Sequence, residues 1–169
     1  MVALYKMNNV WIRNFHVKQC TKLKLYKTLV KPILTYNSGT WSPTKKEEID
    51  LDSFHRKQLR HILNVKYPVT MRSETVYRMA NEEMLSIDLL KNRWKLFGHV
   101  LRMDVESLAH KPMHYFSRSI TKQFRGRPRV NMPQKLNEDL LKYGKDRSLK
   151  LKTTADLQKL IVIANDRLK

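Results

Sequence analysis

Apolar positions recur at helical spacing along most of the chain, and no convincing strand run interrupts them. From Leu23 they fall at Leu23, Tyr26, Val30 and Ile33, in steps of three, four and three, which predicts a helix that buries this stripe. Lys24, Lys27 and Lys31 repeat the spacing on a neighbouring, roughly opposite stripe, leaving a lysine row for solvent or phosphate. Pro32 lacks a backbone donor, so a kink is expected there, and Asn37-Ser38-Gly39 ends the segment. Thr44-Lys45-Lys46-Glu47 reads as a capping box, in which hydroxyl and carboxylate each accept from an orphan amide. The helix it opens carries Leu51, His55, Leu59 and Ile62, with Phe54 and Leu63 beside them. A turn at Tyr67-Pro68 and a short helix from Ser73 to Ala80 follow. Ser86 is expected to cap the best amphipathic segment, with Ile87, Leu90, Trp94, Phe97 and Leu101 on one face.

After Met103 the pattern weakens, and residues 117–132 read as an exposed basic loop containing Arg125-Gly126-Arg127-Pro128-Arg129. Pro133 is placed to open a further helix with Leu136, Leu140 and Leu141 apolar and Gly144 as its stop. A last helix begins near Thr153, with Asp156 three places on, and carries Leu157, Leu160, Ile161, Ala164 and Leu168. The expected fold is an all-α helical bundle. Its expected parts are a body over 1–116, the basic loop over 117–132 and a small helical tail over 133–169.

Charge sharpens this picture. Thirty-four Lys and Arg face 15 acids in 169 residues, a formal charge of +19, which points to a polyanionic partner. Residues 1–46 hold nine Lys/Arg and residues 107–137 hold seven, with no acid in either stretch. A surface built for solubility intersperses the two signs; segregated basic segments suit a phosphate backbone. The Arg125–Arg129 loop puts three forked, weakly hydrated guanidinium groups on backbone that cannot be helical, a pattern suited to phosphate contacts or to a nuclear-import signal.

Other chemistry finds little support. The four glycines are scattered, so no phosphate loop or dinucleotide fingerprint exists. The single Cys20 excludes a disulfide framework and a multi-cysteine zinc module. His110 and His114 could share a helix face, yet no carboxylate lies between them to act as a base. His55 and His61 flank an otherwise apolar face, where a partly buried, hydrogen-bonded histidine is expected rather than a catalytic one. Asp50 and Asp52, two apart on a helix, diverge by about 200° and cannot chelate one metal. No apolar run approaches a membrane span, and Asn8, Asn9 and Arg13 interrupt what a secretory signal would need. The expectation is an intracellular, nuclear protein with no catalytic residues, metal, cofactor, small-molecule substrate or membrane association.

Several ordered motifs carry a resemblance. Lys22 to Tyr36 (Lys-Leu-Lys-Leu-Tyr-Lys-Thr-Leu-Val-Lys-Pro-Ile-Leu-Thr-Tyr) is followed by Thr40-Trp41, and Ala3-Leu4-Tyr5-Lys6 with Trp11 precedes it. Leu51, Phe54 and Leu59-Arg60-His61-Ile62-Leu63 come next, then Trp94-Lys95-Leu96-Phe97-Gly98-His99-Val100-Leu101-Arg102-Met103. The Arg125–Arg129 loop and Ala164-Asn165-Asp166-Arg167 complete the series. Over nearly its whole length the chain resembles the thumb and C-terminal region of non-LTR (LINE-type) retrotransposon endonuclease–reverse transcriptases. The resemblance implies a thumb-like body that holds template–primer, as RNA–DNA hybrid or duplex, by backbone contacts through Lys24, Lys27, Lys31, Arg125, Arg127 and Arg129. It also implies a reverse transcriptase palm domain as a further partner. The family's polymerase centre uses paired aspartates, and no Asp-Asp pair occurs here, so no polymerase or endonuclease activity is expected of this chain alone. The alternative is a non-functional or structural remnant of a degenerate retroelement.

Overall fold

The first helical segment shows how this sequence resolves a conflict between an apolar stripe and a proline. In the computed structural model, which describes residues 14, 16–111, 132–144, 151 and 153–166, the segment runs as α1 (Gln19–Leu25), a wide π turn (Tyr26–Val30) and α2 (Lys31–Leu34). Pro32 thereby falls in the first turn of α2, where its missing N–H is not needed. The irregularity in this segment is thus a π bulge just upstream of the proline. The hydroxyls of Thr28 and Thr35 donate to the carbonyls of Lys24 (2.9 Å) and Lys31 (3.0 Å) along this irregular stretch.

The bulge also corrects one expectation. An extra residue in one turn rotates everything after it by about 100°, so Tyr26 and Val30 are buried while Ile33 is 79% exposed, level with Tyr36.

α3 (Lys45–Ile62) begins one residue after Thr44, as the capping box predicts. It ends at Asn64, whose φ of 57° is left-handed; the Asn64 N–H reaches the carbonyl of His61 (3.2 Å) and the Val65 N–H that of Arg60 (2.9 Å). This pair of bonds satisfies the last carbonyls and folds the chain back over the helix end. α4 (Ser73–Ala80) has the predicted bounds and ends in the same way on Asn81 (φ 47°), with the Glu82 N–H on the carbonyl of Tyr77 (3.0 Å).

α5 (Leu85–Leu101) starts two residues before Ile87, so Ser86 lies inside it and is not its N-cap. The Ser86 N–H and hydroxyl instead donate to the Asp52 carboxylate, at 2.9 and 2.8 Å. A full negative charge brought from α3 meets the positive end of the α5 dipole, which a serine hydroxyl could do only weakly. α6 (Met132–Tyr143) and α7 (Thr154–Asp166) complete the regular elements. The Gly144 N–H closes α6 on the carbonyl of Leu140 (2.9 Å). Thr153 and Asp156 form a reciprocal capping box at the start of α7, side chain to backbone at 3.1 and 3.2 Å. The fold is all-α, with no strand among the described residues.

Two compact units share these elements: residues 1–37 with 45–89, and residues 38–44 with 90–169. In the first, Tyr26, Val30, Leu59, Ile62, Val76 and Tyr77 form the core. In the second, Phe97 and Leu101 of α5 pack with Leu136, Leu151, Leu157 and Leu160, and Trp94 lies half-buried against them, its ring edge-on to Phe97 at 5.6 Å. α6 and α7 bury their apolar stripes together with Phe97 and Leu101 of α5. Leu141, expected among the apolar positions, is 65% exposed, because a single stripe that takes Leu136 and Leu140 turns its neighbour to solvent. In the second unit the turn Ser38–Thr40 sits close on α5: a Cβ at Gly39 would lie 3.0 Å from the Asn92 carbonyl oxygen and 3.1 Å from Leu96 Cβ, a contact tight enough that a larger residue would push its neighbours aside by a few tenths of an ångström.

Candidate nucleic-acid interface

α3 carries two faces of opposite character. His55, Leu59 and Ile62 point inward. At about 100° per residue, Ser53, Arg56, Lys57, Arg60 and His61 cluster roughly opposite them. These five residues, together with Gln58, line a groove of about 740 Å³ that Val65 and Lys66 close at its far end. The left-handed Asn64 is what returns Val65 and Lys66 to this face, and an Arg60 Nη2 donates to the Met71 carbonyl (2.6 Å), tying the returning loop to the helix. Arg56 is steadied by donation to Ser53 Oγ (3.1 Å). Among the described residues, no carboxylate lines the groove.

The sequence carries this signal in a form that block sums hide. Residues 53–73 hold five Lys/Arg and no acid, but Asp50, Asp52 and Glu74 flank them and offset three of the five. Reading the charge on α3 by helix face rather than by segment isolates Arg56, Lys57 and Arg60.

The lysine row is placed differently from a free phosphate-binding stripe. Lys24 is exposed. Lys27 donates to the Asn81 carbonyl (2.8 Å) and pairs with Glu82 (3.2 Å). Lys31 hydrogen-bonds Glu82 and also pairs with Asp88 at 2.7 Å. The carboxylate arrives there because the Asn81 turn hooks Glu82 back toward the π bulge. Two of the three lysines thus serve the unit's own ion-pair network. Arg125, Arg127 and Arg129, with His114 and nearly all of the 117–132 loop, lie outside the described residues.

Beneath the network sits His55, fully buried, as a structural histidine was expected to be. Its Nδ1 and the Tyr26 hydroxyl are hydrogen-bonded at 2.8 Å, and its Nε2 faces Glu82 at 4.0 Å. Tyr26 stacks on the imidazole at 5.6 Å, with Tyr77 at 5.9 Å. Burial holds the His55 pKa below its ordinary value, with Lys31 adding to the effect, although the Glu82 charge pulls the other way. Burial alone would raise Glu82, but the hydrogen bonds and charges of Lys31 and Lys27 outweigh it and hold that carboxyl below the usual range. Both shifts act in one direction on acidification. As pH falls through 6.5, the ordinary histidine value, the unfolded chain takes up a proton that folded His55 resists. As pH falls further, Glu82 loses the stabilisation it supplies above the ordinary carboxylate value. Stability should therefore decline from about pH 6.5 downward, by the histidine reference value. A His55→Gln variant should flatten the upper part of that decline in urea melts across pH; an unchanged profile would show that His55 is not its source.

Cys20 is exposed. Among the described residues, no cluster of three or more His, Cys, Asp or Glu could hold a metal ion, and no helix is long and apolar enough to cross a membrane. No protein-family profile, curated protein or solved structure matches the chain.

Proposed function

We propose that this chain binds nucleic acid through the sugar–phosphate backbone, with little base readout and without a catalytic centre of its own, as the thumb and C-terminal region of a non-LTR-type reverse transcriptase would. The observation that carries the reading is the groove on α3, where Arg56, Lys57, Arg60, His61 and Lys66 converge with no carboxylate among the described lining residues. Arginine forks and lysine points suit phosphate oxygens, and such contacts position a strand without selecting its sequence. The net charge of +19 supports the same partner by raising its local concentration. Lys24, Arg125, Arg127 and Arg129 would each add a phosphate contact of their own, whereas Lys27 and Lys31 would contribute less, being held by Glu82 and Asp88.

The test is a fluorescence-anisotropy titration of a labelled RNA–DNA hybrid and a DNA duplex over a range of salt. Log K should fall linearly with log salt for both, at about 0.9 per phosphate contacted on the duplex, and scrambled sequences should bind alike. Salt-independent binding, or none at low ionic strength, would contradict the reading and leave a folded remnant.

A further inference from the structure

The loop that closes the α3 groove carries a residue that phosphate contacts do not account for. Tyr67 directly follows Lys66, the groove's last cation, and is 94% exposed; Val69 beside it is 61% exposed. The Val69 N–H donates to the Lys66 carbonyl (2.9 Å), so Lys66 to Val69 form a closed turn that presents Tyr67 at its tip. Arg60 pins the far end of the loop through the Met71 carbonyl, so the ring stands on an anchored segment. An aromatic ring this exposed contributes nothing to the core, and it stands one residue along the chain from Lys66, a cation of the groove.

The groove, about 740 Å³ and open to solvent, has room for a nucleotide or two of an extended strand. Cations that track a backbone, next to an aromatic face, form the arrangement by which unpaired strands are held, because every base has a π-face to offer. A paired base has both faces occupied by its neighbours and has none to give.

Building on the proposed backbone reading, we infer that the α3 groove seats an unpaired segment of polynucleotide. Arg56, Lys57 and Lys66 take its phosphates and Tyr67 stacks on one of its bases. The assignment makes this end of α3 a single-strand site, beside whatever surface holds paired nucleic acid.

Three probes separate the possibilities on the full chain: a labelled ten-nucleotide oligothymidylate, the same backbone with abasic sugars, and a ten-base-pair duplex. Tyr67→Ala should weaken oligothymidylate binding about 5- to 150-fold, the range reported by alanine substitution at base-stacking positions. It should leave the abasic strand and the duplex unchanged, and Tyr67→Phe should bind as the parent does. Replacing Arg56, Lys57 and Lys66 together with alanine should weaken both single strands and lower the magnitude of their salt slope by about 2, at ~0.7 per phosphate. Because Tyr67 is almost fully exposed, the thermal melt should not move, which excludes misfolding as the cause. Equal loss on all three probes, or no loss on oligothymidylate, would overturn the single-strand site while duplex binding left the backbone reading intact. Failure of all three probes to bind at low salt would overturn both.

Discussion

Asp139→Ala should destabilise the second unit by about 3–5 kcal/mol, the usual result of removing one partner from a buried ion pair. Arg93 on α5 is only 1% exposed, and its Nη1 lies 3.2 Å from Asp139 Oδ2 on α6, itself almost completely buried. Without the carboxylate, a guanidinium that cannot lose its proton would stay in a low-dielectric site with its charge uncompensated. The effect should belong to the charge and not to lost volume. An Arg93→Met/Asp139→Leu double variant, which removes both charges and keeps apolar bulk, should therefore recover most of the loss. Urea melts of the three proteins decide the matter. An Asp139→Ala variant within about 0.5 kcal/mol of the parent, as for an ordinary surface substitution, would show that Asp139 does not neutralise Arg93.

What the sequence made legible follows the range of the interactions. The Thr153–Asp156 capping box, the start of α3 after Thr44 and the end of α6 at Gly144 are set by residues within one turn of each other, and their spacing announces them. The buried, hydrogen-bonded state of His55 was legible because it interrupts an apolar face. Its partner Tyr26 was not, being 29 positions away. Likewise the spacing of Lys24, Lys27 and Lys31 describes a stripe correctly but cannot say what faces it. Glu82 reaches Lys31 across 51 positions through the left-handed turn at Asn81. Ser86 misled because a serine before an apolar run is the local signature of a cap, while the carboxylate that takes its place comes from Asp52, 34 positions earlier. The π bulge escaped the pattern because a fixed period cannot register an added residue, and the exposure of Ile33 follows from it.

The candidate site was half legible. Strong basicity follows from charge counting, and the acid-free segments single out the lysine row and the arginine loop. The α3 groove needed the helix as a ruler. Arg56, Lys57 and Arg60 become one surface only when their positions are projected around the axis, and Lys66 joins them only after the chain reverses at Asn64.

The central claim is that the α3 groove is a seat for nucleic-acid phosphates. The most direct measurement compares the salt dependence of oligothymidylate binding by the parent with that of a variant carrying Arg56→Ala, Lys57→Ala and Lys66→Ala, using Lys27→Ala/Lys31→Ala as the control. If each groove cation neutralises one phosphate, the slope of log K against log salt should lose roughly 2 in magnitude, at ~0.7 per contact on a single strand, with every sequence weakened alike. The control should change the slope far less, because Glu82 and Asp88 already neutralise those lysines. A groove variant with the parent's slope, or a control that loses more than the groove variant does, would contradict the account.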